Sequence, residues 1–152
     1  SPKKDAQMLG GNFAAQCLSA AVLGLSVRAL GAERIGHGVK VADDANVKAL
    51  AKERDTVFEV CVTSNFQSGV VPELKDHPLP RMIEDGLKVT INTDDPSVSR
   101  ITLTREYQEI HTELGVSLDK IKQSILLAAK SSFLNDEDKA ELVDLVTKEL
   151  KM

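Results

Sequence analysis

Three short β-prone runs, at 34–39, 56–62 and 87–91, alternate with stretches whose apolar residues recur at helical spacing. That alternation constrains the fold more than any other feature. Strands separated by helices ask for parallel pairing through right-handed crossovers, which makes an α/β sheet. In such a sheet, ligands bind at the carboxyl ends of the strands. The third run ends in a polar turn, Asn92-Thr93-Asp94-Asp95-Pro96, so two adjacent carboxylates stand at that position. Neighbouring side chains of an extended chain point to opposite sides, and Asp94 and Asp95 can therefore do different jobs. The same residues also read as ordinary helix-start chemistry, because Asp caps free N–H groups and Pro suits the first helical turn.

The first run carries a histidine, His37, between Gly36 and Gly38. Glycine gives room for close backbone approach and for unusual dihedrals. After the second run, residues 63–76 read as a long loop, and long loops after strands in this kind of fold are usually functional. Ser64 and Asn65 at its start either line a pocket floor or make turn hydrogen bonds. Cys61 reads as a small core residue, His77 as the start of a helix, and His111 as a surface residue on a helix. Helices are expected at 14–30, at 43–54 with Asp43 as N-cap, and at 78–85. Three more follow Pro96, at 102–114, 118–130 and 136–150, the last two capped by Ser117 and Asn135. The final helix presents an apolar stripe of Leu142, Leu145 and Val146.

Composition narrows the function classes. The 152 residues are 42% hydrophobic and 28% charged, which is globular rather than disordered. Aromatics are 3% with no Trp, and the formal net charge is −4, so neither a base-stacking platform nor a basic footprint for nucleic acid or anionic membrane is present. Two cysteines, Cys17 and Cys61, make no disulfide framework and fit a reducing, cytoplasmic setting. No CxxC is present, which excludes the cysteine-ligated zinc deaminases. The apolar segment 14–30 is interrupted by Gln16, Ser19, Ser26 and Arg28 and reads as a core helix, not a membrane span.

Four words in this order and spacing resemble the adenosine deaminase family: ERIGHGV around His37, CVTSN ending at Asn65, INTDDP ending at Pro96, and AAKSSFL ending at Leu134. The resemblance covers residues 28–152 and leaves 1–27 as a segment that does not match. It implies the C-terminal portion of a TIM-type (β/α)8 barrel, about three βα units followed by terminal helices. It implies a hydrolase that converts adenosine and 2′-deoxyadenosine to the inosine product and ammonia, with one zinc ion supplying hydroxide at neutral pH. On this resemblance Asp94 is a zinc ligand, His37 is the catalytic histidine beside the metal-bound hydroxide, and Asp95 binds the purine through a nitrogen of its five-membered ring. The family's other zinc ligands, an HxH pair and the histidine of an HAGE-type word, have no counterpart. No HxH occurs in the chain, and the HAGE position falls on Phe13-Ala14-Ala15-Gln16. Two alternatives therefore stand beside the enzyme: a non-catalytic product of such a gene, and an adenine deaminase of the same family.

Overall fold

The computed structural model describes residues 19–152. Its centre is a parallel sheet of three strands in the order β1-β2-β3, with β1 at Arg34–Gly36, β2 at Val57–Val60 and β3 at Lys88–Ile91. Ile35 lies opposite Phe58, and Phe58 opposite Val89, so one apolar rung crosses the whole sheet. All three are buried, Phe58 completely. The expected strands are thus present but shorter: β1 ends at Gly36 and β2 at Val60, where the chain turns out of the sheet, and β2 and β3 each start one residue later than expected.

Helices connect and cover the strands. Helix α1 (Ala20–Leu30) buries Leu23 and Val27 and ends at Gly31 in the left-handed conformation, as the sequence predicts. It packs against α2 (Ala45–Glu53) and against a 3-10 turn, Val39–Asp43, that follows β1. Residues 20–27 are therefore part of this packing, while the expected start of the helix at 14 lies outside the described residues. The cap of α2 is Asp44 rather than Asp43: its carboxylate accepts from the N–H groups of Asn46 and Val47, and Asp43 closes the 3-10 turn.

The stretch 63–76 is not the loop its sequence suggests. A six-residue helix, α3 (Val62–Gln67), starts directly after β2, and a 3-10 turn occupies Leu74–Asp76. Helix α4 (Leu79–Glu84) precedes β3, and a single-turn helix, α5 (Pro96–Ser99), follows the carboxylate pair. The last helices match expectation: α6 (Leu103–Glu113), α7 (Leu118–Lys130) capped by Ser117, and α8 (Asp136–Leu150) capped by Asn135. Helix α7 lies along β3 and α8 lies on α7. The apolar stripe of α8 stays partly open, with Leu145 54% exposed.

Gly38 follows His37 at φ +63°, and a Cβ there would stand 2.6 Å from Phe58 Cδ1. The close approach of this turn to the central rung is what the glycine permits. Gly38→Ala adds a left-handed non-glycine residue and an overlap with Phe58, and is expected to cost about 2–4 kcal/mol. Urea unfolding measures this; a loss within about 0.5 kcal/mol, the range of an ordinary surface change, would contradict the packing described.

Candidate active site

Strands β1 and β3 each lead into one sequence-predicted site residue just past the carboxyl end, His37 and Asp94. The His37 N–H donates to Glu59 O (2.9 Å), which carries the β1–β2 ladder one step beyond β1. Asn92 N–H likewise donates to Val60 O (2.9 Å) beyond β3. Both chains then turn through the left-handed region, His37 at φ 57° and Asp94 at φ 60°. Non-glycine residues held there cost on the order of 1–3 kcal/mol each. The turns bring the two side chains together: His37 Nε2 lies 3.7 Å from Asp94 Oδ2.

Helix α3 supplies the residues between them. Ser64 Oγ donates to Asp94 Oδ2 (2.8 Å). Asn65, with no exposed surface, places its Nδ2 3.3 Å from His37 Nδ1 and its Oδ1 3.2 Å from His77 Nε2. His77 is itself buried, and its Nδ1 accepts the Leu79 N–H (3.1 Å), so it does help start α4. Helix α3 is pinned by Glu106, whose buried carboxylate accepts from the Thr63 N–H (3.1 Å) and the Thr63 hydroxyl. Glu106 is a structural residue that no motif in the sequence marks. Its signal is an acidic residue on the apolar face of α6, one turn before the buried Ile110.

Burial sets the protonation of these groups. Desolvation lowers the His77 pKa to about 4, which keeps that ring neutral at pH 7. It raises the Glu106 carboxyl, opposed by the Thr63 hydrogen bonds. Burial also pushes the Cys61 thiol up, reinforced by the nearby carboxylates of Asp94, Glu106 and Glu59. Cys61 is therefore an inert core thiol, as expected.

A cleft of about 300 Å³ opens over this group, walled by Gly36, His37, Glu59, Cys61, Asn92 and Asp94. A larger cavity, about 1070 Å³, lies among α3, α5 and α6 and includes neither His37 nor Asp94. Asp95 is also absent from the cleft walls. Its Oδ1 accepts from the N–H groups of Ser97 (3.0 Å) and Val98 (3.2 Å), and it is the exposed N-cap of α5. The helix-start reading of this aspartate is what the structure displays. His111 is exposed on α6, as expected, with Nδ1 2.8 Å from Val116 O.

The donors of the described residues do not fit a zinc ion. Among the described residues no group of three or more His, Cys, Asp or Glu side chains is arranged to hold a metal ion. Asp94 offers one carboxylate, whereas a catalytic zinc takes about three protein ligands. These residues alone do not make a zinc site. The word Phe13-Ala14-Ala15-Gln16 lies outside the described residues.

Comparison with known proteins gives concordant matches. The family model described as adenosine deaminase matches residues 6–149. An adenosine deaminase of Escherichia coli O157:H7 is 40% identical over 121 residues, 80% of this chain and 36% of that protein. The chain thus spans about a third of the length of the curated relatives it matches. The crystal structure of an adenine deaminase from Arthrobacter aurescens superposes with a TM-score of 0.83 at 30% identity, over 91% of this chain and 42% of that one. An amidohydrolase from Burkholderia ambifaria, solved with bound Zn, shares the fold at a TM-score of 0.75 and 23% identity, over 90% of this chain and 40% of that one.

The depressed His77 pKa has a consequence for stability. Between about pH 6.5 and pH 4 the unfolded chain takes up a proton on this residue that the folded chain refuses, so its contribution to stability falls as pH falls through that window. His77→Gln, which keeps an N–H donor toward Asn65, should lose less stability between pH 7 and pH 4.5 than the parent, by about 2–3 kcal/mol. Urea unfolding at both pH values measures it, and equal losses in the two proteins would contradict a buried neutral His77.

Proposed function

The chain belongs to the adenosine deaminase family, and from that premise we propose that it is part of a hydrolase converting adenosine and 2′-deoxyadenosine to their inosine products and ammonia. The observation that carries this reading is the meeting of His37 Nε2 and Asp94 Oδ2, 3.7 Å apart, at the ends of β1 and β3. In the reaction the oxygen of water bonds to the purine carbon bearing the amine, the carbon–nitrogen bond breaks, and ammonia leaves. His37 stands where it can hold the attacking oxygen and move its proton, a task suited to a side chain of ordinary pKa near 6.5. Asp94 is proposed as one oxygen ligand of a zinc ion, whose remaining ligands would come from outside the described residues. Asp95 is proposed to position the purine; its Oδ1 is committed to the α5 cap, so Oδ2 is the atom assigned to the base. A fixed base with the reacting carbon toward the cleft supplies orientation.

Adenine remains the competing substrate, since a solved relative at 30% identity is an adenine deaminase. A chimera tests both. Residues 19–152 would replace the matching segment of the Escherichia coli adenosine deaminase, which keeps that protein's other strands. The chimera is expected to consume adenosine well ahead of adenine. Asp94→Ala should lower turnover on the order of 10³-fold with loss of zinc. His37→Ala should lower kcat on the order of 10²–10⁴-fold with KM little changed, and Asp95→Ala should disturb both constants. A folded chimera that deaminates adenine alone would move the substrate assignment. Full zinc and full turnover in Asp94→Ala would sink the ligand, and unchanged constants in Asp95→Ala would sink the purine contact.

A further inference from the structure

We propose that Asn65, locked in orientation by His77, is a positioning residue that fixes the His37 ring with its proton on Nε2, facing Asp94. One group here has no freedom. The Leu79 backbone N–H can only donate, and its acceptor is His77 Nδ1 at 3.1 Å. A neutral imidazole that accepts at Nδ1 carries its hydrogen on Nε2. That N–H donates to the neighbouring amide at 3.2 Å, so the atom there is the oxygen of Asn65. The Asn65 NH2 group is thereby turned to His37 and donates to Nδ1 at 3.3 Å. His37 accepts at Nδ1, which leaves its proton on Nε2, the atom 3.7 Å from Asp94 Oδ2.

Three further facts hold the relay in place. His77 and Asn65 are buried, at 3% and 0% exposure, so bulk water does not compete for these bonds. Burial keeps His77 neutral at pH 7, so its Nδ1 retains the lone pair that accepts from Leu79. Asn65 also lies in α3, whose first turn is held by Glu106 through Thr63. The consequence for chemistry is directional: neutral His37 offers the cleft an N–H donor rather than a lone pair, so it holds the attacking oxygen by donation and takes up a proton at Nε2 only after giving up the one it carries. This inference rests on the proposed deaminase reading for its use in catalysis, but not for its geometry.

The test reads the imidazole nitrogens directly, by long-range 1H–15N correlation on the full 152-residue chain at pH 8. His111 supplies an internal reference of opposite sense, because its Nδ1 lies 2.8 Å from Val116 O, which only accepts. His37 and His77 should show the Nε2–H pattern and His111 the Nδ1–H pattern. Asn65→Asp replaces the donor facing His37 with an acceptor at the same position. It should move the His37 proton to Nδ1, or add one there, while His77 and His111 stay unchanged. His77→Leu releases the amide and should give His37 a mixed pattern; His77→Gln should preserve the single one. A parent chain with His37 protonated at Nδ1 would overturn the relay. So would a His37 signal unmoved by Asn65→Asp when the backbone amide spectrum is retained. Should Asn65→Asp not fold, the parent spectrum and His77→Leu decide. In the chimera, Asn65→Asp should lower kcat on the order of 10²-fold or more with KM little changed. The correlation spectra stand even if the chimera is inactive, which would remove the deaminase reading and leave the relay.

Discussion

Phe58 is the residue on which the arrangement turns. It is fully buried at the middle of the central strand, with Ile35 on one side and Val89 on the other. Parallel pairing has a consequence that antiparallel pairing lacks: all strands end on the same side. With this rung fixing register, the ends of β1, β2 and β3 stand abreast, and the residues that follow them converge. A one-residue slip would turn the other faces of the strands inward. The same ring also presses on Gly38, so the packing that sets register shapes the turn carrying His37.

What converges there is a polar cluster in a buried setting. Thr63, Ser64 and Asn65 are all buried, and each finds a hydrogen-bond partner: Glu106, Asp94 and the two histidines. Buried polar groups left unpaired cost on the order of 1–3 kcal/mol each, so the network is stable only as a complete set. The left-handed turns at His37 and Asp94 add strain at the positions where the side chains meet. Apolar packing of the sheet against α2, α4 and α7 holds these turns in place. Core and polar cluster are thus separated in space, with the strands making the core and the residues past their ends making the cluster.

The elements set by apolar periodicity were legible in the sequence: the three strands, the helix ended by Gly31, and the last three helices with caps at Ser117 and Asn135. Helix α3 was not, because Val62–Gln67 places polar side chains inward and so shows no apolar period. Asp44 rather than Asp43 caps α2 because Val39–Asp43 is taken up by a 3-10 turn that propensity does not reveal. His37 and Asp94 were named together from the sequence, and the structure does bring them together. Asp95 reads correctly as a cap, whereas its part in binding is a matter of resemblance. The pairing of Asn65 with His77 was illegible, since it depends on how the connection between them folds back.

His37 and Asp94 stand on one side of the metal-dependent site proposed above. Its three histidines are His37, His77 and His111. His77 has both ring nitrogens engaged inside the core, and His111 is on α6 with Nδ1 facing Val116 O. Asp94 therefore has no histidine pair with which to bind zinc, and a lone carboxylate does not compete with water for the ion. The direct measurement is made on the purified 152-residue chain: zinc content by elemental analysis after exposure to the ion and removal of excess, together with inosine formation from adenosine. Zinc far below one per chain and no inosine are the expected results. Near-stoichiometric zinc with steady inosine formation would contradict a lone carboxylate at this position.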